Sequence, residues 1–175
     1  MKLRDLMILM LICLVWGFNF VAGAKGTQQF SPLLFMVLRF ALLLTVTLPF
    51  LRLPPAGQWP RLAGAALSIG SIHFCLMFWA LQRSADVSSV AIVQQTYVPI
   101  AVLLAVILLG ESIGLRRLLA IGLAFTGVLI LGFDPQVLSQ PDVLALALLS
   151  AFFQALGSIF LRGIVAVSAM NFQAW

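Results

Sequence analysis

The stretch VSSVAIVQQTYVPIAVLLAVILL, residues 87 to 109, contains no charged residue. At 1.5 Å of rise per residue it is long enough, as an α-helix, to cross about 30 Å of hydrocarbon. Stretches of the same character run from 6 to 24, 33 to 51, 62 to 81, 115 to 132 and 143 to 161. Each is predicted to be a transmembrane helix, so the expected fold class is an all-α polytopic membrane protein with six visible spans. The connections are short and carry the breakers expected at a membrane surface: Ser31-Pro32, Pro54-Pro55-Ala56-Gly57, Arg83 to Asp86, Glu111 to Gly114, and Asp134-Pro135. No soluble domain fits between them.

Composition agrees with this reading. Hydrophobic residues make up 63% of the chain and charged ones 9%, with a mean hydropathy of +1.15, too little polar surface to cover a water-soluble globule. The net charge of +5 does not indicate nucleic acid, because the basic residues fall singly or in pairs between apolar runs. Cys13 and Cys75 sit inside apolar runs and fit neither a disulfide framework nor a metal site, and nothing calls for a cofactor. Lys2, Arg4 and Ala22-Gly23-Ala24 imitate a cleaved signal peptide, but the apolar run from Leu6 to Ala24 exceeds the roughly 7 to 15 residues of a signal core.

Lysine and arginine resist translocation and so collect in cytoplasmic loops. With the N-terminus inside, Lys2, Arg4, Arg52, Arg61, Arg116, Arg117 and Arg162 are cytoplasmic, against Lys25 and Arg83 outside. That distribution predicts a cytoplasmic N-terminus. Laying the sixth helix over the first at a shift of 137 aligns Asp5 with Asp142, Trp16 with Phe153, Lys25 with Arg162 and Gly26 with Gly163. Residues 1–137 then form a five-helix repeat and residues 138–175 begin a second, inverted because the number is odd. Asn171 to Trp175 reads as the start of a seventh helix, so the expectation is a fragment of a longer architecture.

Polar residues inside the spans are the candidates for chemistry. Gln94, Gln95, Thr96 and Tyr97 precede Pro99, whose missing N–H and bulky ring are expected to free the Gln95 carbonyl. The segment lines a cavity or is a tolerated kink satisfied by its neighbours. Arg39 lies within the second span, where a cation costs about 2.5 to 3.5 kcal/mol at the helix centre and less near the surface. It either receives a carboxylate, from substrate or from beyond this chain, or snorkels outward. His73, the single histidine, is either a proton carrier or a hydrogen-bonded structural residue.

On the first helix Trp16, Asn19 and Gly23 share a face, suiting a pore or simple aromatic packing. Glu111 sits at the end of the fourth helix, where an acid opposes the dipole, so Arg116 or Arg117 is its expected partner. Gly64, Ser68, Ser71 and Cys75, and likewise Ala120, Ala124 and Gly127, recur at helical spacing and predict close helix packing.

Several of these features resemble the EamA family of the drug/metabolite transporter superfamily, in particular its exporters of amino acids and related metabolites. The matching marks are Trp16-Gly17-Phe18-Asn19-Phe20, Pro32 with Leu38-Arg39-Phe40, Ala80-Leu81 followed by Ser84-Ala85 and Ala91, Pro99, Gly110-Glu111, and Gly122 with Thr126-Gly127-Val128. The resemblance implies ten helices in two inverted repeats, with a central substrate passed outward by alternating access. It also implies functional weight at Trp16, Arg39 and Glu111. His73 belongs to no pattern of the family, and Phe152-Phe153-Gln154 departs from it.

The expected function is therefore export of small metabolites such as amino acids across a bacterial cytoplasmic membrane. The partners are the solute and the lipid bilayer, and a homodimer is one arrangement that would complete the architecture. The alternatives are multidrug efflux of hydrophobic cations, to which Arg39 is of little use, and a membrane scaffold or regulatory subunit. An intramembrane enzyme is disfavoured, since one histidine and no acid within a span leave no catalytic set.

Overall fold

The computed structural model describes residues 3–54, 56–132, 139–165 and 167–175. Lys2, Pro55, Asp134, Pro135 and the 137/138 repeat boundary lie outside the described residues.

The described residues are helical with short connections. The first helix, α1, runs over Leu3–Gln29, and α2 over Pro32–Thr47 with a 3-10 turn at Leu48–Phe50. The third span is continuous from Trp59 to Arg83 but not uniform. It opens as α3 (Trp59–Ala65), widens to a π-helix at Ala66–His73 and closes as α4 (Phe74–Arg83). The fourth span breaks into α5 (Val87–Gln94) and α6 (Tyr97–Leu109). Then follow α7 (Leu115–Gly132), α8 (Pro141–Leu161) and a short α9 (Ala169–Ala174). Five helical stretches among the described residues are long and apolar enough to cross a membrane, and they correspond to five of the six expected spans. The remaining stretch, 115 to 132, is helix α7.

Local chemistry sets the breaks. Ser31 caps α2 through a Leu34 N–H bond, and Pro32 follows at a position where its missing N–H is no loss. Asp86 caps α5 by accepting the N–H groups of Ser88 and Ser89 at 3.1 and 2.8 Å. Gly110 ends α6 in the left-handed region at φ 66°, and the N–H groups of Gly110 and Glu111 turn back to the Val106 and Ala105 carbonyls. The break at Gln95 and Thr96 lies one turn before Pro99, where the ring would crowd the helix. The Gln95 carbonyl is not left free as expected: it accepts the Val98 N–H at 3.2 Å, a tighter turn absorbing what the proline removes.

Helix α8 is the hub. It packs against α3, the π segment, α4, α5 and α6, and is the most enclosed span, whereas α1 and α2 are the most exposed. Its small residues permit the approach: Ala147, Ala151 and Ala155 are fully or almost fully buried, and a Cβ on Gly157 would stand 2.3 Å from an Ile69 side-chain carbon. The buried core around Ala24, Met77, Phe78, Leu81, Val90 and Val93 includes Val143 and Ala147 from α8. Exposed apolar side chains along α1, α2 and α7 are what a lipid solvent requires.

Two packing expectations need correction. Gly64, Ser68, Ser71 and Cys75 do not form one buried stripe, because the π turn shifts the helical phase: Ser68 is buried while Ser71 is exposed. Ala120, Ala124 and Gly127 of α7 are exposed, and Gly127 has nothing within 4 Å of an added Cβ. Helix α7 makes only sparse contacts with α5 and α6, and its glycines at 122 and 127 face open space among the described residues.

Candidate functional site

The polar side chains that the sequence places inside the spans converge. A cavity of about 380 Å³ is lined by Trp16, Asn19 and Phe20 of α1, Arg39 of α2, His73 and Phe74 of the third span, Gln94, Gln95 and Tyr97 at the break in the fourth, and Gln154 of α8. Gln173 of α9 also reaches it. Five spans, broken or unbroken, thus deliver their polar residues to one place. Pro99 is buried just beyond and is not part of the lining.

Among the described residues Arg39 is the only charged side chain of that lining apart from His73 when protonated. Its guanidinium carbon lies 4.9 Å from the Phe74 ring centre and 5.5 Å from that of Phe78. Partly desolvated cation–π contacts of this kind are worth about 0.5 to 2 kcal/mol, enough to offset a good part of the cost of a cation at this depth. The rings stabilise the charge and leave its N–H donors unused. Among the described residues Arg39 makes no hydrogen bond and no ion pair. The side chain is held by aromatic faces at the cavity wall, with no carboxylate of the described residues paired to it. Phe74 in turn stacks on Phe78 and meets Phe40 edge-on, so the shelf under the guanidinium is packed from both sides.

His73 is buried at the last turn of the π segment, tied to α8 by Ser150. The Ser150 hydroxyl donates to the His73 carbonyl at 3.0 Å, and Nδ1 lies 3.2 Å from the Ser150 carbonyl and 2.9 Å from its Oγ. With the serine proton engaged, the network assigns the Nδ1–H tautomer. This bonding satisfies the structural half of the expectation for His73, and its position in the cavity wall preserves the other half.

Gln94 is buried and donates from Nε2 to Gln154 Oε1 at 2.7 Å. Its own Oε1 has no partner, and it is the one such buried side-chain atom among the described residues. An unpaired buried acceptor costs about 1 to 3 kcal/mol. Asn19, Gln95 and Gln173 add three more carboxamides to the lining, and Trp16, Phe20, Phe74 and Tyr97 supply its apolar surface. Among the described residues no Asp or Glu lines it. The described residues hold no cluster of His, Cys, Asp and Glu suited to a metal.

Glu111 lies away from the cavity. Its carboxylate pairs with Arg162 at the end of α8, not with Arg116 or Arg117. The physical reason is the hub position of α8: packed along α6, it brings its last residue to the turn after Gly110, while Arg116 and Arg117 project from the first turn of α7 and are exposed. The same end of the bundle is tied by Arg61 to the Gly163 carbonyl at 3.0 Å, and the opposite end by Arg83 to Asp142 at 3.5 Å.

Sequence reasoning missed Ser150, Gln154 and Gln173. Gln154 carries the same signal that singled out Gln94, an amide inside an apolar span. Ser150 and Gln173 carry none without the fold.

Residues 4–133 match the model of the EamA-like transporter family. Over 170 residues the chain is 29% identical to the "Probable amino-acid metabolite efflux pump" of Escherichia coli (strain K12), covering 96% of this chain and 56% of the relative. A protein of the same description from Salmonella typhimurium (strain LT2) is 29% identical over 168 residues, covering 94% and 56%. The chain thus spans little more than half the length of the curated relatives it matches. No solved structure matches it. With a family match across most of its length and helices suited to repeated membrane crossing, the chain is a multi-pass membrane protein that belongs to the EamA-like transporter family.

Proposed function

We propose that this chain forms the solute-binding part of an exporter of small carboxylate-bearing metabolites such as amino acids, working by alternating access in a bacterial cytoplasmic membrane. The observation that carries the reading is Arg39: a guanidinium held on two aromatic rings at the wall of a membrane-depth cavity, with its N–H donors unused and no acid beside it among the described residues. A planar fork of donors in a site of low dielectric is suited to a carboxylate above all. The names of the two relatives point the same way. In this reading residues 1–137 are one five-helix repeat and 138–175 begin its inverted partner, with the N-terminus cytoplasmic. His73 is the candidate for proton coupling.

Multidrug efflux of hydrophobic cations is the second reading, favoured by the four aromatic residues of the lining. It is opposed by Arg39, which repels a cation in the same cavity. Efflux of preloaded labelled amino acids and of a lipophilic cation, from cells with and without the protein, separates the two. Amino-acid efflux that falls at least tenfold in Arg39→Ala at matched membrane levels is the expected result. Cation efflux that survives the substitution would favour the second reading.

A further inference from the structure

Arg39 accounts for one end of a bound solute, and the buried amide pair across the cavity points to the other. We infer that the Gln94–Gln154 pair receives an N–H group of the solute at Gln94 Oε1, so that the site selects molecules carrying both a carboxylate and an uncompensated N–H donor over plain carboxylates. The inference rests on the carboxylate reading of Arg39 and adds its nitrogen end.

Three observations carry it. First, Gln94 is 4% exposed, its Nε2 is committed to Gln154 Oε1 at 2.7 Å, and its Oε1 has no partner at all. Buried polar atoms in folded proteins are almost always paired, so an orphan acceptor at a cavity wall marks a place where something else supplies the proton. Second, Gln94 closes α5 directly at the helix break. The chain turns at Gln95 and Thr96 and resumes at Tyr97, which places Gln94 where the helix is interrupted. Oε1 is shielded in this state, and pairing it with a solute requires the side chain to turn toward the cavity that Gln94 lines. Third, the lining has no Asp or Glu among the described residues. An ammonium or amine in this cavity has carboxamide oxygens as its acceptors, and Gln94 offers the one that is already desolvated and unspent. Gln154 acts as a positioning residue: by holding the Gln94 Nε2, it fixes which atom remains.

Setting both amides the other way would leave an N–H₂ at the cavity and select a second acceptor on the solute. The Arg39 guanidinium already supplies donors to this cavity, and an oxygen complements that field where another donor would not. The aromatic lining of Trp16, Phe20, Phe74 and Tyr97 suits a phenyl body, which fixes the choice of probes.

The test is calorimetric binding to the purified full chain in detergent, with phenylalanine, 3-phenylpropionate (the same acid without the amine) and phenylsuccinate (a phenyl-bearing acid with a second carboxylate and no amine). The wild type is expected to bind phenylalanine at least tenfold more tightly than the other two. Gln94→Leu is expected to remove that preference while leaving 3-phenylpropionate binding within about twofold, and Gln94→Glu to restore or enlarge it. Arg39→Gln is expected to weaken all three acids together. Equal losses for phenylalanine and 3-phenylpropionate in Gln94→Leu, or a wild type that prefers phenylsuccinate, would overturn the inference while leaving Arg39 as the carboxylate site. Binding of the acids that is unchanged in Arg39→Gln overturns the carboxylate reading instead, and a wild type that binds none of them overturns both. If Gln94→Leu is not monodisperse, Gln94→Glu decides alone: a lowered preference for phenylalanine counts against the inference.

Discussion

At the scale of single residues, what the sequence betrays is a polar group that an apolar neighbourhood cannot explain. Arg39, His73, Asn19, Gln94, Gln95 and Tyr97 all attract attention on that ground, and all line one cavity. What the sequence hides is the identity of partners, since these come from helices remote in the chain: Ser150 for His73, Gln154 for Gln94, and Arg162 for Glu111. The nearest basic residues, Arg116 and Arg117, were a natural choice for Glu111 only because sequence proximity stood in for packing. Asp86 gives a prediction that belongs at this scale. Hydrogen bonds from the Ser89 hydroxyl and N–H, with a further one from the Ser88 N–H, hold its carboxyl below its ordinary value of 3.8. A depressed carboxyl contributes stability that is present above that value and is lost as pH falls through the lower folded value. Asp86→Ala should cost about 1 kcal/mol as the loss of a helix cap at neutral pH. Thermal unfolding in detergent should show the gap between variant and wild type closing as the pH falls below 3.8, and a gap unchanged at pH 2 would count against the capping account.

At the scale of elements, periodicity and length identified the spans, and the breaker at Pro99 located the interruption of the fourth. The π segment was not legible, since Ala66 to His73 contains no proline and its composition is that of an ordinary apolar helix. Its effect was to defeat the small-residue stripe read off an ideal helical period. Glycines separate the packed helix from the loose one. On α8, Gly157→Ala drives a methyl into Ile69, with the neighbouring Ser68 Cβ at 3.2 Å, and should destabilise by about 1 to 3 kcal/mol through overpacking, in part relieved by Ile69→Ala, which removes the γ carbon it meets. On α7, Gly122→Ala and Gly127→Ala meet nothing within 4 Å and should be neutral or stabilising by up to about 1 kcal/mol through helix propensity. Urea or thermal denaturation in one detergent ranks them, and a Gly157→Ala protein as stable as the wild type would contradict the close approach of α8 to the π segment. The Glu111–Arg162 pair is a different kind of contact. Both side chains are about 40% exposed, so exchanging their charges by Glu111→Arg with Arg162→Glu should change stability by less than about 1 kcal/mol.

At the scale of the whole molecule, the fold class and the order of spans follow from hydropathy because lipid imposes helices wherever a chain crosses it. The central place of α8 does not follow from hydropathy: a helix expected to start a second repeat packs against both the third and the fourth spans. Burial separates these roles and composition does not, since α1 and α8 have similar hydropathy and very different enclosure. The orientation proposed from arginine and lysine predicts that cysteines placed near Arg83 react with an impermeant maleimide from outside intact cells and those near Arg61 or Arg116 do not. The opposite labelling would invert the proposed topology. The central claim is that the cavity around Arg39 is where a carboxylate-bearing solute sits, and solute protection of one engineered thiol tests it most directly. With Cys13 and Cys75 replaced by alanine, Asn19→Cys places a single thiol in the cavity wall, and its rate of modification by a small maleimide is measured with and without solute. The account predicts that phenylalanine slows modification at least fivefold, that a lipophilic cation does not, and that adding Arg39→Gln abolishes the protection. Modification that proceeds at one rate with or without phenylalanine, in protein that still exports it, would place the solute elsewhere and contradict the account.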